Sequence, residues 1–175
     1  MKATFIIFLA SILATDIVAQ DSSKPRPSPT AITSARYKDT YIKITYCQPQ
    51  KRNRVIFGEL VPFGQVWRTG ANEATEITLT KDILINNTNL KAGTYSLFTI
   101  PNKDKWTIII NSATGLWGAY QYNDKLDAIR FDVIPQQIKD DYEAFTIWFD
   151  EHNEMADLQL AWDKTKVTLP IKYMD

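Results

Sequence analysis

From residue 40 onward, apolar and polar residues alternate with a period of two rather than 3.6. Residues 41–47 alternate and are rich in β-branched and aromatic side chains. Residues 75–80 alternate as well, with Ile77 and Leu79 on one face. Ile83, Leu84 and Ile85 precede the turn-forming run of Asn86, Asn87, Thr88 and Asn89, and Leu90 follows, so a hairpin is expected here. Gly93 punctuates the chain before a strand at 94–100, residues 101–105 form a second turn, and 106–111 continue as a strand. Further strands are expected at 129–134, 144–149, 155–162 and 166–171, with a short helical turn at 136–142. About nine short strands with close turns and no long amphipathic helix predict an all-β domain. The expected architecture is an antiparallel β-sandwich, jelly-roll-like or Greek key, with a closed β-barrel as the alternative.

The N-terminal residues follow a different pattern. Lys2 precedes an apolar run from Phe5 to Ala14, and Ile17, Val18 and Ala19 end it on a small residue. Residues 1–19 therefore read as a secretory signal peptide. The run is shorter than the roughly 20 residues that a membrane span needs, so no span is expected after cleavage. Residues 20–29 carry Pro25, Pro27 and Pro29 among small polar neighbours and read as an extended Pro/Ser-rich tether. Residues 30–175 are left as a single domain, expected to be secreted or periplasmic.

Composition narrows the chemistry. The 175 residues hold 20 Lys+Arg and 20 Asp+Glu, with one His and one Cys. A net charge of zero gives no basic footprint for nucleic acid. One Cys makes no internal disulfide, and one His leaves little for His-based metal or acid–base chemistry. No cofactor is expected, and the pattern implies no oligomeric state.

One stretch departs from alternation. Residues 56–75 read Ile-Phe-Gly-Glu-Leu-Val-Pro-Phe-Gly-Gln-Val-Trp-Arg-Thr-Gly-Ala-Asn-Glu-Ala-Thr. With residues 92–101 (Ala-Gly-Thr-Tyr-Ser-Leu-Phe-Thr-Ile-Pro) and Trp117-Gly118-Ala119-Tyr120, it resembles a family of secreted bacterial proteins, domain-of-unknown-function family 2911. The likeness covers about residues 28–173, and the run from Trp67 to Ala74 is its most specific part. It implies an exported, β-rich domain and no particular reaction.

The same stretch holds the strongest candidate site. Arg68 presents a planar fork of donors suited to a carboxylate or phosphate. Asn72 can donate and accept, Glu73 accepts, and Trp67, Trp117 or Tyr120 offers an aromatic face. Together they could read a small polar ligand such as a sugar or an organic acid. The structural alternative has Arg68 paired with Glu73, Asn72 capping a turn and Trp67 in the core.

Weaker candidates lie elsewhere. Asp150, Glu151, His152, Asn153 and Glu154 gather possible metal ligands, but between two expected strands a polar hairpin is the simpler reading. Cys47 sits in an alternating strand, as a buried inert thiol would. Glu59, Glu73, Asp124, Asp127 and Asp132 could supply a carboxylate pair. Trp117, Tyr120 and Tyr122 form an aromatic patch, and Asn86-Asn87-Thr88 matches a glycosylation acceptor that in a bacterial protein is simply a turn. Three functions follow: a module binding a small polar ligand or glycan at Trp67, Arg68, Asn72, Glu73, Trp117 and Tyr120; a carboxylate hydrolase; or an interaction protein of the cell envelope.

Overall fold

A computed structural model describes residues 25–174. The expected signal peptide and residues 20–24 of the tether lie outside the described residues. Ten strands are formed: β1 (Thr30–Tyr37), β2 (Thr40–Cys47), β3 (Thr75–Leu79), β4 (Ile83–Ile85), β5 (Thr88–Leu90), β6 (Gly93–Ile100), β7 (Trp106–Asn111), β8 (Asp127–Val133), β9 (Gln136–His152) and β10 (Met155–Tyr173). A 3-10 turn at Asp124–Leu126 is the only helical element among the described residues. Six strands make one sheet in the order β1-β2-β3-β6-β7-β8, and four make the other in the order β5-β4-β10-β9. Every strand pair is antiparallel. The sheets are open, so the fold is the expected sandwich and not a closed barrel.

The period-two pattern explains which faces meet. Ile42, Ile44 and Tyr46 of β2, Ile77 and Leu79 of β3, and Ile108 and Ile110 of β7 are buried in one cluster. From the other sheet the same cluster takes Ile83 and Ile85 of β4, Phe145 and Ile147 of β9, and alternate residues of β10. Apolar side chains that leave water here provide the main drive for stacking the sheets. Along β10 the inward set changes phase, from Leu158, Leu160 and Trp162 to Val167, Leu169 and Ile171. The register with β9 shifts between Ala161 and Thr165, and Asp163 lies there with φ of 54°. Such an irregularity re-aims side chains without ending the strand.

The centre of the six-stranded sheet is buried on both faces. Leu97 and Phe98 are adjacent and both fully buried, as are Ile108, Ile109 and Ile110. Phe98 and Ile109 face outward from the sandwich and are covered by Val66, Leu116, Ala119 and Tyr122, which come from the long connections. A second, smaller core thus fastens two loops to the sheet.

Three local expectations change. β1 lies before the region where alternation is evident. Its inward positions are the modest Ala31, Thr33, Ala35 and Tyr37, while Ile32 points outward and is 65% exposed. Residues 136–142 are extended and begin β9, not a helical turn. Ile138 and Tyr142, four apart, imitate a helical stripe, but both are the half-buried positions of the otherwise exposed first seven residues of β9. The strands expected at 155–162 and 166–171 are one strand, because the polar residues between them mark an irregularity rather than a turn. The hairpin at 83–90 is present, closed by Asn86 and Asn87 with φ of 47° and 61°. Positive φ at both turn positions is what a two-residue hairpin of this hand needs, and Asn accepts it more readily than most residues.

The second core gives a direct test. Phe98→Ala should lower stability by about 3–5 kcal/mol, while Ile32→Ala should change it by less than about 0.5 kcal/mol. Equilibrium denaturation in urea measures both.

Candidate functional site

β2 and β3 are neighbours in the sheet, yet residues 48–74 run between them. Trp67 fastens this excursion. Its N–H donates to the Thr99 carbonyl at 2.7 Å, and the Thr99 N–H returns to the Trp67 carbonyl at 3.0 Å. Its ring stacks on Trp162 at 5.9 Å and meets Phe145 edge-on at 5.0 Å. Phe57 and Trp106 complete the cluster. The indole N–H donates to the Gly70 carbonyl at 3.0 Å, folding the chain back under its own ring. Trp67 is only 7% exposed. Its ring faces belong to the core, so the expected stacking role for Trp67 is replaced by an anchoring one.

The turn after Trp67 is tightly specified. Thr69 has φ of 57°, a conformation that β-branched residues rarely adopt, and such strain costs about 1–3 kcal/mol. Buried hydrogen bonds hold it: the Thr69 hydroxyl donates to Thr99 Oγ1 at 3.2 Å, and the Thr69 carbonyl accepts from the Thr75 hydroxyl at 2.6 Å. At Gly70 a Cβ would stand 2.9 Å from the Cys47 carbonyl oxygen, so only glycine fits. Asn72 follows with φ of 56°.

This path sends the candidate side chains to two different places. Arg68 and Asn72 line a cavity of about 270 Å³ together with Trp67, Trp162, Arg54, Leu60 and Ser28. Glu73 lines a neighbouring cavity of about 260 Å³ with Glu76, Cys47, Thr45, Thr30 and Leu116. Arg68 and Glu73 therefore do not pair. Glu73 is taken by Arg26, whose Nη1 donates to its two oxygens at 2.8 and 3.0 Å. The Cys47 thiol donates to the same carboxylate at 3.2 Å. Arg68 Nε is buried and has no hydrogen-bond partner among the described residues. Arg54 donates only to the backbone carbonyls of Lys51 and Gln50 among those residues. The first cavity thus holds two guanidinium groups that no described carboxylate neutralises. Asn72 Nδ2 donates to the Ser28 carbonyl at 3.3 Å.

Trp117 and Tyr120 line neither cavity. Trp117 is 57% exposed and its backbone bridges Glu73, while Tyr120 is 85% exposed. The Tyr120 ring lies over Gly118, where a Cβ would come within 2.9 Å of it. Both rings are exposed, and neither forms a wall shared with Arg68.

The family model matches residues 28–171. The chain belongs to the family of proteins of unknown function DUF2911. No curated protein and no solved structure matches it. In this DUF2911 chain the matched span contains Arg54, Arg68, Asn72, Glu73 and Cys47, while Arg26 lies just outside it.

The weaker candidates fall into structural settings. Asp150–Glu154 forms the tip of the β9–β10 hairpin, with His152 Nε2 3.9 Å from Asp157. No group of three metal-ligating side chains occurs among the described residues. Asp127 accepts from the Tyr122 hydroxyl at 2.7 Å and from Asn111 Nδ2 at 2.8 Å. Burial, reinforced by that carboxylate, pushes the Tyr122 hydroxyl up to about 12. Asp132 is held by Lys105 and Thr107. Sequence reasoning missed Arg54, Glu76, Ser28 and Arg26; Arg26 and Ser28 reach the site from more than forty residues away, while Glu76 lies on β3 only three residues after Glu73.

Charge pairing at Glu73 sets a pH dependence. The hydrogen bond from Arg26, then Glu73's own backbone N–H and the Cys47 thiol, hold its carboxyl below its ordinary value of 4.5. A carboxyl lowered on folding stabilises the native state above the unfolded value and loses that stabilisation as pH falls through the folded one. Carboxyl-detected NMR should find Glu73 titrating below 4.5 in the parent and higher in Arg26→Ala. Equal titration in the two proteins would contradict the pairing.

Proposed function

We propose that this protein is an exported module that binds a small hydroxylated acid, such as a sugar acid, in the Arg68 cavity. The observation that carries the reading is the Arg68 guanidinium, half-buried on a concave wall with its Nε unpartnered among the described residues. Withdrawing a cationic donor from water without a partner is costly. A carboxylate in the cavity can offset part of that cost by taking two parallel N–H···O bonds from the Nη end of the planar fork. Arg54 adds a second positive charge to the same wall. Asn72 Nδ2 is engaged by Ser28, which leaves its Oδ1 to accept from a ligand hydroxyl. A volume of about 270 Å³ suits a ligand of monosaccharide size rather than a polymer. The apparent signal peptide supports export.

The carboxylate-hydrolase reading draws less support. Glu73 and Glu76 share a cavity, but a general acid needs a carboxyl raised toward neutrality. Arg26 drives Glu73 the other way.

Calorimetry with galacturonate on the parent, Arg68→Lys and Arg68→Ala tests the proposal. The parent should bind, Lys should bind more weakly, and Ala should lose at least about tenfold in affinity, as expected for a charge-assisted contact. Because the Arg68 Nε has no hydrogen-bond partner among the described residues and its backbone bond from Thr75 survives the change, Arg68→Ala should shift stability by less than about 1 kcal/mol. Parent protein that ignores galacturonate and related hydroxy acids, or an Arg68→Ala variant that binds them equally well, would refute the reading.

A further inference from the structure

One wall of the Arg68 cavity comes from outside the folded sheets. Ser28 lines it, and the segment around Ser28 lies on the 67–73 turn. Three contacts hold that segment down. Arg26 sits on Glu73, Arg52 Nη2 donates to the Pro27 carbonyl at 3.2 Å, and Asn72 Nδ2 donates to the Ser28 carbonyl. The prolines explain why side chains do the holding. β1 begins at Thr30, and its ladder with β2 continues only as far as Gln48 N–H donating to the Pro29 carbonyl at 2.9 Å. Pro29, Pro27 and Pro25 have no N–H to return, so pairing stops and the chain stays extended. Arg26 and Glu73 are 56% and 46% exposed, which makes their ion pair weak and salt-sensitive.

We propose that Arg26–Ser28 is a strap that closes over the Arg68 cavity and must lift for a ligand to enter or leave, a role that rests on the binding function proposed for Arg68. Arg26 is its latch and the Pro29–Thr30 junction its hinge. Asn72 couples the two states, because it both lines the cavity and holds Ser28. Glu73 extends the coupling to the neighbouring cavity. Its carboxylate binds Arg26 and also accepts from the Cys47 thiol, and Cys47 as a whole is 3% exposed. Lifting the strap frees the carboxylate and uncovers the wall beside Cys47.

Cys47 therefore reports on the strap without any ligand. At a pH high enough to ionise the thiol in both proteins, iodoacetamide should modify it about two- to fivefold faster in Arg26→Ala at low salt, the scale of an exposed ion pair. Arg26→Lys should keep the parent rate. High salt should raise the parent rate toward that of Arg26→Ala and leave the variant unchanged. Stopped-flow mixing with galacturonate should show faster association and faster dissociation in Arg26→Ala. Equal labelling of parent and Arg26→Ala at low salt would overturn the strap, and so would equal galacturonate rates in the two proteins. If no variant binds galacturonate, the Arg68 reading fails on its own, and the labelling rates still decide whether the segment lifts.

Discussion

The position of the Trp67 ring between the two sheets is the constraint on which the site depends. β2 and β3 could have been joined by a short turn. Instead the chain leaves the sheet for residues 48–74 and returns beside its starting point, an excursion that needs a strong tether. An indole stacked on Trp162, flanked by Phe145, Phe57 and Trp106 and hydrogen-bonded at its only polar atom, supplies one. Aromatic pairs in these geometries stabilise by about 0.5–1.5 kcal/mol beyond the area they bury. That margin is what lets Thr69 sit at a strained φ and Gly70 press against the Cys47 carbonyl.

With the ring turned inward, the polar residues that follow have few places to go. Arg68 and Asn72 meet one cavity, while Glu73 crosses the ridge to the other. The separation matters electrostatically. Were Arg68 paired with Glu73, the charges would cancel inside the turn and nothing would remain for a ligand. Arg26 instead neutralises Glu73 from the N-terminal segment, and the Arg68 wall keeps its positive character. On the proposed reading, recognition and closure share one arrangement: the chain path separates Arg68 from Glu73, and the Arg26 that pairs with Glu73 belongs to the segment that carries Ser28 to the cavity wall.

The central strands were legible in the sequence because their alternation is the direct imprint of one buried face, as at Ile42 and Ile44 or Ile77 and Leu79. β1 was hidden, since it buries small side chains and exposes Ile32. The break in β10 misled because a register irregularity and a turn both interrupt an apolar pattern. At the site, the run from Trp67 to Glu73 stood out, but the partners did not. Nothing local in the chain says that Arg26 rather than Arg68 meets Glu73, that Trp67 is core while Trp117 is exposed, or that Arg54 shares the Arg68 wall. Those facts belong to the sheet topology, which brings residues far apart in sequence to a single ridge.

The proposed site depends on the Arg68 guanidinium with its unpartnered Nε, and the Arg68 Nε–H resonance observes that group directly. In nitrogen-15 spectra of arginine side chains, the buried Nε–H should be protected from exchange with water and should move on addition of galacturonate. A resonance that exchanges as freely as that of a solvated arginine, and that galacturonate leaves in place, would contradict the account.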